Sequence, residues 1–175
     1  MPDKIPKDGP PQSDFSISRE LDAPRDIVWS CFTDAQHMKH WWGPKGFKVI
    51  HSKMDLRPGG MYHYGLQTPQ GQEMWGRFVY REIVAPERIT FVSSFSDEQG
   101  GLSRHPGHMT WPIEMLTNFL FEERGGKTYF TITSSALNAS DEEQKTFDDG
   151  HDSMKGGWGG TLNQLTAYLA TLNPM

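Results

Sequence analysis

The segment MKGGWGGTLNQL, from Met154 to Leu165, places four glycines around one tryptophan at the start of an amphipathic run. A phosphate-binding loop would lead from a strand into a helix N-terminus, with Lys and then Ser or Thr after its last glycine. Here Gly160 is followed by Thr161 and Leu162. A helix start signal also lies well upstream, at Ser140, which precedes three acidic residues. The segment is therefore predicted to lie inside a C-terminal helix rather than in a phosphate loop.

This helix is predicted to run from Ser140 to about Leu172. Its apolar stripe follows helical spacing and consists of Met154, Trp158, Leu162, Leu165 and Leu169. Four glycines in a helix interior cost about 3–4 kcal/mol relative to alanine, so tertiary packing has to compensate. We expect the glycines to let the helix backbone approach the sheet or a ligand closely. A break between Asp148 and Gly157 is the alternative.

Hydrophobic alternation upstream of this helix predicts about six or seven strands. The first, DFSISRELDA, is followed by two short helices, PRDIVWSCFTD and DAQHMKHWW. Four strands then follow, FKVIHSKMDL, GMYHYGLQ, QEMWGRFVYREIV and RITFVSSF, and after the Gly-rich SDEQGGLSRHPGHMT come PIEMLTNFLFEE and TYFTITSSAL. Short turns between most of them indicate antiparallel pairing. The order predicts an α+β domain in which the long C-terminal helix covers one sheet face.

Composition restricts the class of protein. A chain of 175 residues fits one domain, predicted over residues 14–175, after a Pro-rich N-terminal tail, residues 1–13, that is predicted to be disordered. The formal net charge of −5 argues against nucleic acid as a partner. No apolar run reaches the ~20 residues of a membrane span, and the N-terminus lacks a signal-peptide core. With Cys31 as its single cysteine, the chain is predicted to be cytoplasmic.

Four segments together resemble the START-like superfamily (SRPBCC, helix-grip), in the branch similar to the C-terminal domain of the activator of Hsp90 ATPase. They are HMKHWWGPKGF (His37–Phe47), MDLRPGGMYHY (Met54–Tyr64), GRFVYREIVAPERITFVSSF (Gly76–Phe95) and GGWGGTLNQLTAYL (Gly156–Leu169). The resemblance implies a helix-grip fold, in which a curved antiparallel sheet wraps around a long C-terminal helix over an internal cavity. It implies no single function, because relatives include lipid carriers, polyketide cyclases and aromatases, ligand-sequestering resistance proteins and chaperone regulators.

Strand parity then predicts which residues line such a cavity. Aromatic side chains with a few hydroxyls face the helix, as suits a mostly apolar ligand with one or two polar anchors. The predicted lining is Trp42, Tyr62, Tyr64, Phe78, Tyr80, Phe91, Ser93, Thr117, Phe119, Phe130, Met154 and Trp158. The alternative is a solid core in which the tyrosine hydroxyls find internal partners.

Candidates for acid-base catalysis are His151, His63, Glu73 and Glu114. His151 lies seven residues before Trp158, so it is expected near the helix face that grips the sheet. His63 has the parity opposite to Tyr64, so it is expected to point away from the helix. We expect a structural role for His151 ahead of a catalytic one.

The histidine pairs His37/His40 and His105/His108 lack a third ligand that the sequence places nearby, so no metal and no cofactor are predicted.

The sequence leaves three functions open. The first is binding of a hydrophobic or aromatic small molecule in the cavity. The second is an enzyme of polyketide cyclase/aromatase-like or hydrolytic type in the same cavity, and the third is a chaperone-regulator-like interaction module. A homodimer is also left open.

Overall fold

A computed structural model describes residues 14–172 of the chain. The predicted disordered tail, residues 1–13, lies outside the described residues. The elements, in chain order, are β1 (Phe15–Leu21), α1 (Arg25–Thr33), α2 (Ala35–Trp41), β2 (Lys48–Met54), β3 (Met61–Gln67), β4 (Glu73–Val84), β5 (Arg88–Ser96), β6 (Leu102–Ser103), β7 (Glu114–Arg124), β8 (Lys127–Leu137), α3 (Asp141–Asp149) and α4 (His151–Leu172). This is the α+β helix-grip fold that the sequence predicts, with two short helices after the first strand.

All strands of the described residues belong to one antiparallel sheet. Its order is β1-β8-β7-β5-β4-β3-β2, and the two-residue β6 pairs with β5 beside this path. The seven strands of the main path are those that alternation predicts. β6 is an addition inside the Gly-rich segment between β5 and β7. Register shifts between Val49 and His51, and between Tyr80 and Glu82, increase the local bend of the sheet.

The helix-facing side of the sheet, hereafter the inner face, carries most of the core. Leu162, Leu165 and Leu169 of α4 pack into the same buried cluster as the strand aromatics. Phe32 of α1 joins this cluster, with its ring centroid 5.0 Å from that of Phe119. One continuous core therefore connects the N-terminal helices, the sheet and the C-terminal helix.

The predicted C-terminal helix consists of two helices. α3 begins with a capping box, in which the Ser140 hydroxyl accepts from the Glu143 backbone N–H and the Glu143 carboxylate accepts from the Ser140 N–H, at 3.1 and 2.9 Å. It ends at Asp149 with Gly150 as its C-cap residue, and α4 begins at His151. A Cβ atom on Gly150 would lie 2.8 Å from the ring of Trp111, so a tryptophan of another segment occupies the space beside this break.

The four glycines of the opening segment lie within α4, but their role differs from the predicted one. A Cβ atom on Gly156, Gly157 or Gly160 would meet no heavy atom within 4 Å. On Gly159 the nearest atom would be a guanidinium nitrogen of Arg19 at 4.0 Å. The expectation that these glycines let the helix approach the sheet closely is therefore wrong, because each has room for at least a methyl group.

Polar contacts fix α4 against the remaining structure. The Arg19 guanidinium of β1 donates to the side-chain oxygen of Asn163 at 2.6 Å. The Tyr168 hydroxyl lies 2.6 Å from Nδ1 of His37, and its ring stacks on His40 at 5.1 Å. The pair His37/His40 thus holds the C-terminal half of α4 against α2.

Candidate functional site

A cavity separates part of the inner sheet face from α4. Its outer compartment has a volume of about 280 Å³, near the lower end of small-molecule sites, which span roughly 300–1,000 Å³. A deeper compartment of about 130 Å³ adjoins it. Six residues border both compartments: Trp42, Tyr64, Phe95, Met115, Met154 and Trp158. The two compartments therefore form one cleft with a mostly apolar wall.

The tandem tryptophans at the end of α2 divide into a core residue and a cavity residue. Trp41 is buried, and its indole N–H donates to the Cys31 carbonyl at 3.0 Å. Trp42 is the C-cap residue of α2, and its ring meets those of Tyr64 and Trp158 edge-on at 5.4 and 5.5 Å. Only 8 % of Trp42 is exposed, and its buried Nε1 makes no hydrogen bond of good geometry among residues 14–172, although the Tyr64 hydroxyl lies nearby.

Tyr64 owes its position in the cavity wall to a glycine on the neighbouring strand. It pairs in register with Gly76 of β4, and a Cβ atom on Gly76 would collide with the Tyr64 hydroxyl and ring. Burial raises the pKa of Tyr64 to about 12, and the Trp42 indole N–H nearby opposes part of that rise. The Tyr64 phenol is therefore protonated at neutral pH and keeps an O–H donor.

Three hydroxyl groups form a chain on the floor of the deeper compartment. The Thr117 hydroxyl lies 3.2 Å from that of Ser93 and 2.8 Å from that of Ser134, across β5, β7 and β8. All three residues border the compartment. Three hydroxyls carry three hydrogens, and the two bonds of the chain use two of them. One O–H of the three therefore stays available as a donor.

Three aromatic rings form the cavity mouth: Phe95 near the end of β5, and His105 and Trp111 from the segment between β5 and β7. The His105 ring lies 4.7 Å from Phe95 and 6.0 Å from Trp111. Nδ1 of His105 accepts from the Gly107 backbone N–H at 2.8 Å. Burial, reinforced by the neighbouring His108, lowers the pKa of His105. His105 is therefore neutral at pH 7, with its ring proton on Nε2.

Eight of the twelve predicted lining residues border the cavity. They are Trp42, Tyr64, Phe78, Phe91, Ser93, Thr117, Met154 and Trp158. The other four, Tyr62, Tyr80, Phe119 and Phe130, have the same inward parity but are core residues, each at most 2 % exposed. The Tyr62 hydroxyl, for example, bonds to that of Ser52 at 2.9 Å. The inner face is thus solid at one end and hollow at the other.

His151 lies in the first turn of α4 but does not border the cavity. Its ring sits edge-on to Phe147 at 5.1 Å and to Phe15 at 5.8 Å. Its Nε2 is buried without a hydrogen-bond partner in the described part of the chain. These contacts place the ring between β1 and α3, as a packing element.

The remaining candidates for acid-base catalysis also lie away from the cavity wall. His63 is on the outer sheet face, where its Nε2–H donates to the Asp97 carbonyl at 3.1 Å. Glu73 accepts from the indole N–H of Trp75 at 3.1 Å, and Glu114 is the first residue of β7. The structure therefore does not bring these groups together into a catalytic constellation.

Sequence reasoning missed the contributions of His105 and Trp111 to the cavity wall. The available signal was the length and His/Trp content of the segment between β5 and β7, since long loops often carry function.

Within residues 14–172, no cluster of three or more His, Cys, Asp or Glu side chains is arranged to hold a metal ion. In the same range, no helix has the length and apolar character needed to cross a bilayer.

The sequence model of the family described as Activator of Hsp90 ATPase homolog 1-like protein matches residues 22–170. The chain belongs to this family. None of the curated protein sequences matches it significantly.

Solved structures of bacterial proteins share the Activator of Hsp90 ATPase homolog 1-like fold over nearly the whole chain. A protein from Arthrobacter aurescens is 25% identical with a TM-score of 0.76, and the match covers 91% of this chain and 87% of that one. A protein from Nitrosomonas europaea is 23% identical with a TM-score of 0.72, covering 94% and 98%. A protein from Silicibacter pomeroyi that carries the family name is 19% identical with a TM-score of 0.70, covering 91% and 99%. These likenesses support the fold and do not indicate a ligand.

Proposed function

We propose that this protein binds a hydrophobic or aromatic small molecule in the cavity between the sheet and α4. The observation that carries the proposal is the apolar cleft itself, walled by aromatic and methionine side chains and floored by the hydroxyl chain of Ser93, Thr117 and Ser134. Apolar walls with few polar anchors are typical of small-molecule sites.

The glycines of α4 support the same interpretation. Glycine weakens a helix interior by about 1 kcal/mol relative to alanine. Gly157 borders the cavity, and a Cβ atom there would meet open space, so packing against the sheet does not explain the glycine. A bound molecule that contacts the helix backbone at this point would explain it.

The alternative of a polyketide cyclase/aromatase-like or hydrolytic enzyme has less support. Of the titratable side chains in the described residues, only Tyr64 and His105 border the cavity compartments. Tyr64 is protonated and His105 is neutral near pH 7, and the candidates His151 and His63 lie elsewhere.

A chaperone-regulator-like role rests on the family description alone. The predicted cytoplasmic location, the possible homodimer and the absence of nucleic-acid binding stay predictions.

Two neighbouring glycines provide a matched test of the binding function. Gly157→Phe adds a ring where the residue borders the outer compartment, whereas Gly156→Phe adds the same ring one residue away, where Gly156 does not border the cavity. Equilibrium dialysis with 2-isopropylnaphthalene measures the affinity of each variant. We expect the wild type and Gly156→Phe to bind this probe with similar dissociation constants, and Gly157→Phe to bind it at least about tenfold more weakly.

Native mass spectrometry of the protein as purified from cells complements this test by detecting any molecule that it retains. Retention of an apolar compound by the wild type and its loss from Gly157→Phe support the proposal. Equal affinities of the two Phe variants for the probe, or the absence of binding to the wild type, contradict it.

A further inference from the structure

The deeper compartment of the cavity has the size of one aromatic ring. Its volume is about 130 Å³, and an apolar protein cavity of roughly 150 Å³ holds one benzene molecule. Aromatic side chains surround this space, with Phe78 stacked on Phe91 at a centroid distance of 4.1 Å and Trp42 edge-on to Phe78 at 5.5 Å. A six-membered ring therefore fits here, and the remainder of a larger ligand would lie in the outer compartment.

Ser93 is the end of the hydroxyl chain that a ligand can reach. Thr117 and Ser134 are buried, at 2 % and 4 % exposure, whereas Ser93 is only partly buried. Ser93 has the inward parity of Phe91 and borders the deeper compartment but not the outer one. A ligand group that contacts the Ser93 hydroxyl therefore has to enter the deeper compartment.

The Ser93 oxygen offers an acceptor site whichever way the chain is directed. A hydroxyl has one hydrogen and two lone pairs, and the bond to Thr117, the one hydrogen bond of the Ser93 hydroxyl within residues 14–172, uses one of the three. If Ser93 donates to Thr117, both lone pairs stay free. If it accepts, one lone pair and the hydrogen stay free. A ligand donor is therefore satisfied in both cases, whereas a ligand group that only accepts requires the second.

Charge restricts the kind of donor. The described residues that border the deeper compartment include no Lys, Arg, His, Asp or Glu, and the Tyr64 phenol is protonated. An ammonium group placed there would lose its hydration without gaining an opposite charge, which is strongly unfavourable. A phenolic hydroxyl is an uncharged donor on an aromatic ring and, unlike an N–H group, can also accept from Ser93.

We infer that the deeper compartment binds a phenol ring of the ligand, with the phenolic hydroxyl directed inward and hydrogen-bonded to Ser93. The inference rests on the proposed binding function and adds the chemical class of the ligand and its orientation in the cavity.

Two biphenyls of similar shape test this contact in equilibrium dialysis. 4-Phenylphenol carries the hydroxyl, and 4-methylbiphenyl carries a methyl group in its place. The measured quantity is the affinity for the phenol divided by the affinity for the hydrocarbon. Because the hydration of the two free compounds is the same in every experiment, a change in this ratio between protein variants arises in the protein.

Ser93→Ala removes the hydroxyl from the compartment. We expect the affinity ratio to fall about five- to tenfold relative to the wild type, because the phenolic hydroxyl is then buried without its partner. Binding of 4-methylbiphenyl at least as tight as that of the wild type would show that the variant folds and keeps its cavity.

Ser96→Ala is the matched control on the same strand. Ser96 is also buried, but its hydroxyl donates to the Asp97 carbonyl at 3.0 Å and the residue borders neither compartment. The substitution removes the same hydroxyl group outside the cavity. Its affinity ratio should equal that of the wild type.

The outcomes distinguish this inference from the function beneath it. A ratio that falls in Ser93→Ala and not in Ser96→Ala supports both. An unchanged ratio in Ser93→Ala, or an equal fall in the two variants, overturns the inference while leaving the binding function standing. So does a wild type that binds 2-isopropylnaphthalene but neither biphenyl. Binding of none of the three compounds overturns both.

Discussion

Arg104 connects the segment that carries Trp111, at the cavity mouth, to α3. One of its terminal nitrogens donates to the backbone carbonyls of Met109 and Trp111, at 2.8 and 3.3 Å, and to the carboxylate of Glu143 at 3.0 Å. Glu143 also belongs to the capping box of α3. The same carboxylate thus starts a helix and holds the segment that carries Trp111, which links the stability of α3 to the geometry of the mouth.

This arrangement predicts a pH-dependent contribution of Glu143 to stability. The hydrogen bond from the Ser140 backbone N–H, followed by that from Arg104, lowers the pKa of Glu143 from its usual value of about 4.5. A carboxyl group with a lowered folded-state pKa stabilises the fold above its unfolded pKa, and that contribution is lost as the pH falls through the folded value. We expect urea denaturation to show Glu143→Gln as less stable than the wild type at pH 7, with the difference shrinking as the pH falls below the usual carboxyl pKa and through the lowered pKa of folded Glu143.

Glu142→Gln is the matched control for this prediction. Glu142 is exposed and lies in the same first turn of α3, so its substitution removes the same charge near the same helix terminus. A loss at pH 7 as large as that of Glu143→Gln would show that the helix dipole, rather than the contact with Arg104, is responsible.

At the level of elements, the glycine between α3 and α4 and the glycines inside α4 have opposite surroundings. Gly150 lies against the Trp111 ring at the helix break, whereas Gly156 points into open space in a helix interior. We expect Gly156→Ala to increase the free energy of unfolding by up to about 1 kcal/mol, because alanine is the better helix former and finds no clash.

Gly150→Ala is expected to act in the other direction. Its methyl group would lie 2.8 Å from the Trp111 ring, which has to move and would disturb the cavity mouth. Urea denaturation of both variants measures the two effects. Stabilisation by Gly150→Ala, or destabilisation by Gly156→Ala, would contradict this account of the glycines.

These helices also show where sequence reasoning stops. The start of α3 follows from Ser140 and the acidic residues after it, because a capping box depends on neighbours in the chain. The end of α3 at Gly150 does not follow from local sequence, since Gly150 and the glycines after Met154 carry the same helix penalty. Only the approach of Trp111, nearly forty residues earlier in the chain, distinguishes Gly150 from the others.

The sheet shows the same limit for the cavity. Alternation assigns Tyr62 and Tyr64 to the inner face, because side chains of a strand alternate between faces. It does not distinguish between them, although Tyr62 is core and Tyr64 borders the cavity. The difference arises from the position of Trp42 and α4 along the sheet, which is a property of tertiary packing.

At the scale of the whole molecule, one aromatic core joins α1, α2 and α4 to the sheet. The Phe32 ring of α1 lies 4.7 Å from Phe130, 4.8 Å from Trp41 and 5.2 Å from Phe121. The buried leucines of α4 belong to the same cluster. A chain held together in this way should unfold as one unit, and such cooperative unfolding would test the single domain predicted from the sequence.

Phe32→Ala tests this cooperativity. Removing a fully packed phenylalanine is expected to cost about 3–5 kcal/mol, because the lost contacts and the remaining void both destabilise the fold. The loss should appear equally in urea denaturation followed by far-UV circular dichroism, tryptophan fluorescence and the near-UV signal of the aromatic rings. Met109→Ala, at a side chain that is 73% exposed, is the control and should stay within about 0.5 kcal/mol of the wild type. The unfolding transitions of Phe32→Ala followed by these probes should coincide. If the sheet signal persists after the aromatic signal is lost, the helices and the sheet are not one cooperative unit.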